Sequence, residues 1–264
     1  MRLLDFLSTD SDEPMSRRDA LDQLKTTGLS VAAISMPLAL LSRSQPSVAQ
    51  SSADPVEILN YALTLEYLED SYYRQGLNTN GLIPSEVLSV FDQISAHEST
   101  HVQVLTATIE DLGGTPVSFS DEDFDFTANG SFDPFNDYPT FLILSQAFED
   151  TGVRAYKGQA PMLAGQDLLT PALQIHSVEA RHAAEVRRLR AASQGADLKP
   201  WITGNQSGNA PQSVYAGEDN LTQAGIAQLS LGDYSEAEAT EAYDEPLTMD
   251  DVAGENGIVP PFFA

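Results

Sequence analysis

Apolar residues recur at three-and-four spacing in four long segments of the chain, each bounded by residues that start or stop a helix. The first helix is predicted over Pro55–Gln75, where Ile58, Leu59, Ala62, Leu65, Leu68 and Tyr72 share one face. Asp54 stands at its N-cap position, Pro55 suits the first turn, and Gly76 offers a stop. The second is predicted over Ser85–Leu112 and closed by Gly113-Gly114. The third covers Tyr138–Lys157, with Gly158 and Pro161 breaking the chain after it. The fourth covers Leu168–Ser193, with Gly195 just beyond. Arg187, Arg188 and Arg190 fall near the negative end of that last helix, where cations are favoured. Residues 115–136 are rich in Asp, Phe, Gly and Ser and show no helical period. No segment alternates well enough to be a central strand.

Connection lengths set the topology. Fewer than ten residues join the first two helices, and the last two likewise, so each pair forms antiparallel neighbours. The central connection is long enough to travel the length of a bundle. The expectation is an all-α four-helix bundle over residues 54–195, built as two antiparallel helical hairpins joined by a long crossover. Residues 196–264 read as a mostly irregular acidic tail packing on the bundle, with a short acidic helix near Ser235–Tyr243. The tail's function is not legible.

The first 49 residues read as an export signal instead of part of the fold. Ser16-Arg17-Arg18-Asp19-Ala20-Leu21 precedes an apolar stretch from Gly28 to Leu41, and Ser47-Val48-Ala49 follows as a small-residue cleavage site. That apolar stretch is short for a bilayer-spanning helix. The paired arginines resemble a twin-arginine signal, which implies a protein exported already folded, to the periplasm or the exterior. Met15 offers an alternative start, and an uncleaved anchor or an ordinary secretory signal are the other readings of this segment.

Charge narrows the partners. The 264 residues carry a net charge of −26, and only Lys25, Lys157 and Lys199 supply lysine. Such a surface opposes nucleic acid, because a phosphate backbone would find little to neutralise it. Acidity with little Lys fits either work in high salt, where screening tames self-repulsion, or an ordinary acidic protein. The absence of Cys excludes disulfides and thiolate metal sites.

Candidate chemistry lies on the four helices. The first carries Glu66, the second Glu98 and His101, the third Glu149, and the fourth Glu179 and His182. Residues three apart share a helix face, so each Glu-x-x-His pair can aim at one point. One Glu from each of two helices and one Glu-x-x-His from each of the other two is the set by which di-iron and di-manganese carboxylate bundles hold their metals. Glu66 and Glu98 are 32 residues apart, and Glu149 and Glu179 are 30 apart. Tyr73 follows Glu66 by seven, as Tyr156 follows Glu149. Two similar hairpins related by a pseudo-twofold would thus supply four carboxylates and two imidazoles, ligands suited to two iron or manganese ions. Tyr73 and Tyr156 are candidates to donate hydrogen bonds to ligating carboxylates, or else are core aromatics. Glu69, one turn from Glu66, competes for the first position, and the tyrosine spacing favours Glu66. His97 and His176 are placed at the edge of the site or behind its ligands.

At these residues the chain resembles the ferritin-like superfamily, and within it the exported ferritin-like domain proteins that include desiccation-related proteins. Ile58-Leu59-Asn60-Tyr61-Ala62-Leu63-Thr64-Leu65-Glu66-Tyr67-Leu68-Glu69 is similar to that group's first helix. Glu241-Ala242-Tyr243-Asp244-Glu245-Pro246-Leu247 is similar to its tail. The resemblance implies a ferritin-like bundle with Glu66, Glu98, His101, Glu149, Glu179 and His182 as metal ligands. Its activities range over ferroxidases, peroxidases and manganese catalases, with oxygen or peroxide as partner, and self-association as a homo-oligomer stays open.

Two rival readings remain at this level. His97-Glu98-Ser99-Thr100-His101 fits H-E-x-x-H, a zinc metalloprotease signature. Against it, Val178 stands where a repeated histidine would fall on the fourth helix, and Glu66 and Glu149 would have no role. The other rival is a structural or stress-protective protein whose metal site only stabilises the fold.

Overall fold

The computed structural model describes residues 54–195 and 197–264. The signal reading of residues 1–49 lies outside them. Four long helices make the bundle: α1 (Pro55–Asn78), α2 (Leu88–Asp111), α3 (Tyr138–Gln159) and α4 (Leu169–Gln194). α1 packs along α2, α3 packs along α4, and the two hairpins meet through α1 and α3. Asp54 caps α1 by accepting from the Val56 amide at 3.0 Å, and Asp137 caps α3 by accepting from Thr140 at 2.9 Å. Gly195, at φ 61°, ends α4 in the left-handed region.

Two expected helix stops are instead close contacts. Gly76 lies inside α1, which continues to Asn78, because the Phe141 ring of α3 fills the space where a Cβ would stand. Gly158 lies inside α3, where the Leu247 carbonyl crosses so near that a Cβ would collide with backbone. α2 starts at Leu88, later than expected, because Leu82 and Ile83 turn into the core and a Pro84–Val87 turn follows them.

The tail is more ordered than its composition suggests. It holds two short helices, α5 (Glu236–Thr240) and α6 (Met249–Ala253), and a minimal hairpin of β1 (Thr222–Gln223) with β2 (Ile226–Ala227). Ser235 and Thr248 cap α5 and α6 through capping boxes with Glu238 and Asp251. Val214, Tyr215, Leu247, Val252, Val259 and Phe262 from the tail enter the main apolar core. The crossover adds Phe124 and Phe126, and Phe124 forms a β-bridge with Phe263.

Buried arginines tie bundle to tail, and Arg187 and Arg190, near the C-terminal end of α4 as expected, are among them. Arg187 donates to Asp150 Oδ2 at 2.5 Å, and the Tyr215 hydroxyl donates to the same oxygen at 2.6 Å. Arg190 donates to Gln146 Oε1 at 2.6 Å and also reaches the Gly208 carbonyl. Arg154 pairs with Glu218 at 2.7 Å and donates to the carbonyls of Val214, Ala216 and Glu245. Of the three arginines near the end of α4, Arg188 alone stays at the surface, paired with Glu185.

The core has two apolar parts. One gathers Leu59, Leu63, Leu105, Ile109, Tyr156 and Ile175 at one end of the bundle. The other, larger part holds Leu68, Tyr72, Phe91, Phe141, Phe148 and Val186, with Tyr72 stacked on Phe141 at 5.0 Å between centroids. On every helix the candidate Glu and His residues fall between the two parts. The bundle is therefore apolar, then polar, then apolar along its axis.

Candidate metal centre

Each helix delivers its polar residues to this middle layer by register. Glu66 sits between Leu63 and Leu68, both buried, so the apolar face that packs α1 carries Glu66 inward with it. Glu98 and His101 on α2, and Glu179 and His182 on α4, do the same at three-residue spacing. All four carboxylates are fully buried, and His101 and His182 nearly so.

The six residues meet as two groups. Glu66, Glu98, His101 and Glu179 form one, and Glu98, Glu149, Glu179 and His182 the other. Within each group the potential ligand atoms lie within 4.8 Å of one another. Glu98 and Glu179 belong to both. His101 Nδ1 stands 3.1 Å from Glu66 Oε2, 3.0 Å from Glu98 Oε2 and 3.1 Å from Glu179 Oε1. His182 Nδ1 stands 2.8 Å from Glu98 Oε1 and 3.3 Å from Glu149 Oε2.

The two tyrosines cross between hairpins. Tyr73 on α1 donates to Glu149 Oε1 on α3 at 2.5 Å, and Tyr156 on α3 donates to Glu66 Oε1 on α1. Each fixes one terminal carboxylate with its free oxygen turned to the centre. Behind His182, the ring of His97 stacks at 5.2 Å, and His97 Nδ1 lies 2.9 Å from His182 Nε2. His182 thus meets the carboxylates through Nδ1 and His97 through Nε2. His97 enters neither ligand group, so the histidines of the H-E-x-x-H motif do not converge. His176 also stands apart, with a buried Nε2 that has no hydrogen-bond partner among the described residues. Glu69 is buried beside the centre but outside both groups.

Burial and the mutual pull of carboxylates and imidazoles set the electrostatics of the layer. Burial pushes Glu66 up to about 7, with the His101 hydrogen bond pulling the other way. Burial and then Glu98 and Glu66 raise Glu179 well above the carboxylate range. Glu98 is the exception: burial acts to raise it, but hydrogen bonds from His101 and His182 outweigh burial and hold it at about 2. Burial would lower both histidines, yet the surrounding carboxylates lift His101 to about 12 and His182 to about 11.

Hydrogen bonding leaves the centre unfinished. Glu98 Oε1, Glu149 Oε2, both oxygens of Glu179 and His182 Nδ1 are buried, and beyond the close approaches of His101 and His182 to the carboxylates nothing among the described residues satisfies them. Native interiors rarely gather so many carboxylate oxygens around one small volume with only two imidazoles to meet them. Carboxylate oxygen and imidazole nitrogen are ligands for divalent first-row metals, so the donor set fits a metal ion.

A helical bundle with a buried carboxylate–histidine centre compatible with metal is the class that fold and site together define. The model of the ferritin-like domain matches residues 54–192, and the chain belongs to that family. No curated protein matches the chain.

Proposed function

We propose that the centre holds two iron or manganese ions and performs redox chemistry with oxygen or peroxide. The sharing of Glu98 and Glu179 by two otherwise separate ligand groups carries this reading. A carboxylate common to both groups could serve both positions, and four carboxylates would balance the charge of two divalent ions. Glu66 and His101 would complete one position, Glu149 and His182 the other.

When bound, a pair of such ions supplies the electrons for reducing oxygen or peroxide. The chain's own contribution is placement and exclusion. Tyr73 and Tyr156 hold the terminal carboxylates in one orientation, and His97 holds the ring of His182. The two apolar parts of the core keep bulk water from both ends of the polar layer. An apolar cavity of about 40 Å³ runs beside Tyr156, walled by Ala62, Leu105, Ala172 and Ile175. Its size and lining suit a small apolar molecule better than a solute with polar groups. The order of basic, apolar and small residues over 16–49 supports export as part of this proposal.

Elemental analysis of the purified protein beside a Glu98→Ala variant tests the reading. Two iron or manganese ions per chain, with paired binding lost in the variant, is the expected result. Two ions bound by Glu98→Ala at unchanged affinity would refute the assignment, and a single zinc ion would replace it with hydrolytic chemistry.

A further inference from the structure

The pseudo-twofold that relates the hairpins fails at one place. One turn after Glu66, α1 carries Glu69; one turn after Glu149, α3 carries Gly152. These two positions face each other. A Cβ placed on Gly152 would lie 3.4 Å from Glu69 Oε1 and 3.4 Å from Glu179 Oε2, so both oxygens border the small space that the glycine leaves. Glu69 is 2% exposed and makes no hydrogen bond or ion pair with a described residue. Glu179 Oε2 is buried and also without a partner. A carboxylate so deeply placed without a donor is costly to hold, and a bound cation would satisfy it.

The geometry also assigns a side. Glu179 Oε1 is the oxygen that approaches His101, at 3.1 Å, whereas Oε2 is the one turned to His182, at 4.0 Å. Glu69 borders Oε2. One turn beyond Glu69 on the same helix, Tyr73 touches Glu149. Glu69 therefore stands over the position held by Glu149 and His182, although it springs from the same helix as Glu66. A small cavity of about 10 Å³, lined by Leu65, Leu68, Phe148, Thr151 and Gly152, adjoins it.

We propose that Glu69 is a fifth carboxylate ligand, which swings onto the metal position of Glu149 and His182 alone and makes the two positions unequal. This rests on the two-metal reading. The position that Glu69 serves gains a ligand and a negative charge, so it fills first and holds its ion more tightly. Gly152 is what makes the swing possible, since a side chain there would occupy the space through which the carboxylate turns.

The test is calorimetric titration of metal-free protein with manganese(II) without oxygen, for wild type and Glu69→Gln. Wild type is expected to bind two ions in distinguishable steps. The variant should lose at least tenfold in the tighter step and less than twofold in the weaker, since even groups that only orient a ligand are worth about 10–100-fold. Two ions bound by Glu69→Gln as in wild type would overturn the role of Glu69 and leave the dinuclear reading standing. No ion bound by wild type would overturn both. Should Glu69→Gln fail to fold, a crystal structure of manganese-loaded wild type decides: a Glu69 oxygen in the coordination shell of the ion beside His182 supports the proposal, and one outside it refutes it.

Discussion

The crossed tyrosines allow a quantitative prediction. Tyr73→Phe and Tyr156→Phe each remove one hydroxyl and little else, since both rings are buried and phenylalanine keeps their packing. Each hydroxyl donates to a buried carboxylate, a bond worth about 1.5–3 kcal/mol. If that energy serves to hold the carboxylate for an ion, its loss appears as weaker metal binding by roughly 10–100-fold. The effects should also be separable. Tyr73→Phe frees Glu149, so it should weaken the position shared with His182; Tyr156→Phe frees Glu66, so it should weaken the position shared with His101. Because the hydroxyls touch different carboxylates, the double variant should show both losses. Manganese titration of the four proteins reads the affinities, and thermal melts of the metal-free forms check that the fold survives. Both single variants binding two ions within about twofold of wild type would show that these bonds do not serve the centre.

Other consequences are as direct. Gly158→Ala should destabilise the fold by about 1–3 kcal/mol, read as a lower melting temperature, because the added methyl meets the Leu247 backbone and not a side chain that can turn away. Arg154→Met should cost about 3–5 kcal/mol and expose the tail to limited proteolysis, since it leaves Glu218 buried without its cation. Loading the centre should release protons: His101 and His182, raised to about 12 and 11 by the carboxylates, are protonated in the metal-free protein at neutral pH and must lose a proton to bind an ion. Metal affinity should therefore fall as pH falls, and the binding enthalpy should change with the ionisation enthalpy of the buffer.

How far the residues alone reveal this molecule depends on the range of the interaction. The Glu-x-x-His pairs and the tyrosines at plus seven are legible because helical period is local: three residues fix a shared face, and seven return to it. Gly76 and Gly158 mislead for the opposite reason. A glycine that ends a helix and one that admits a distant ring or carbonyl look the same along the chain, and only Phe141 and Leu247 tell them apart. Arg187 and Arg190 carry the right charge for a helix terminus, and their burial follows from tail segments with no periodic signal. Thr248-x-x-Asp251 was a capping signal open to reading that the surrounding loop composition obscured. Glu69 shows the same limit within the centre: its spacing makes it a rival of Glu66, and only the facing glycine shows that the two carboxylates serve different sides.

The arginine contacts also bear on the order in which this protein is made. All four long helices are complete by residue 194, yet the acceptors for Arg154, Arg187 and Arg190 lie largely between Trp201 and Glu245. On the ribosome, Arg187 and Arg190 already have Asp150 and Gln146 of the bundle, whereas every acceptor of Arg154 is still to be made. Burial of the Arg154 guanidinium therefore waits for the tail, and the last residues to leave the exit tunnel are the ones that close the third long helix into the interior.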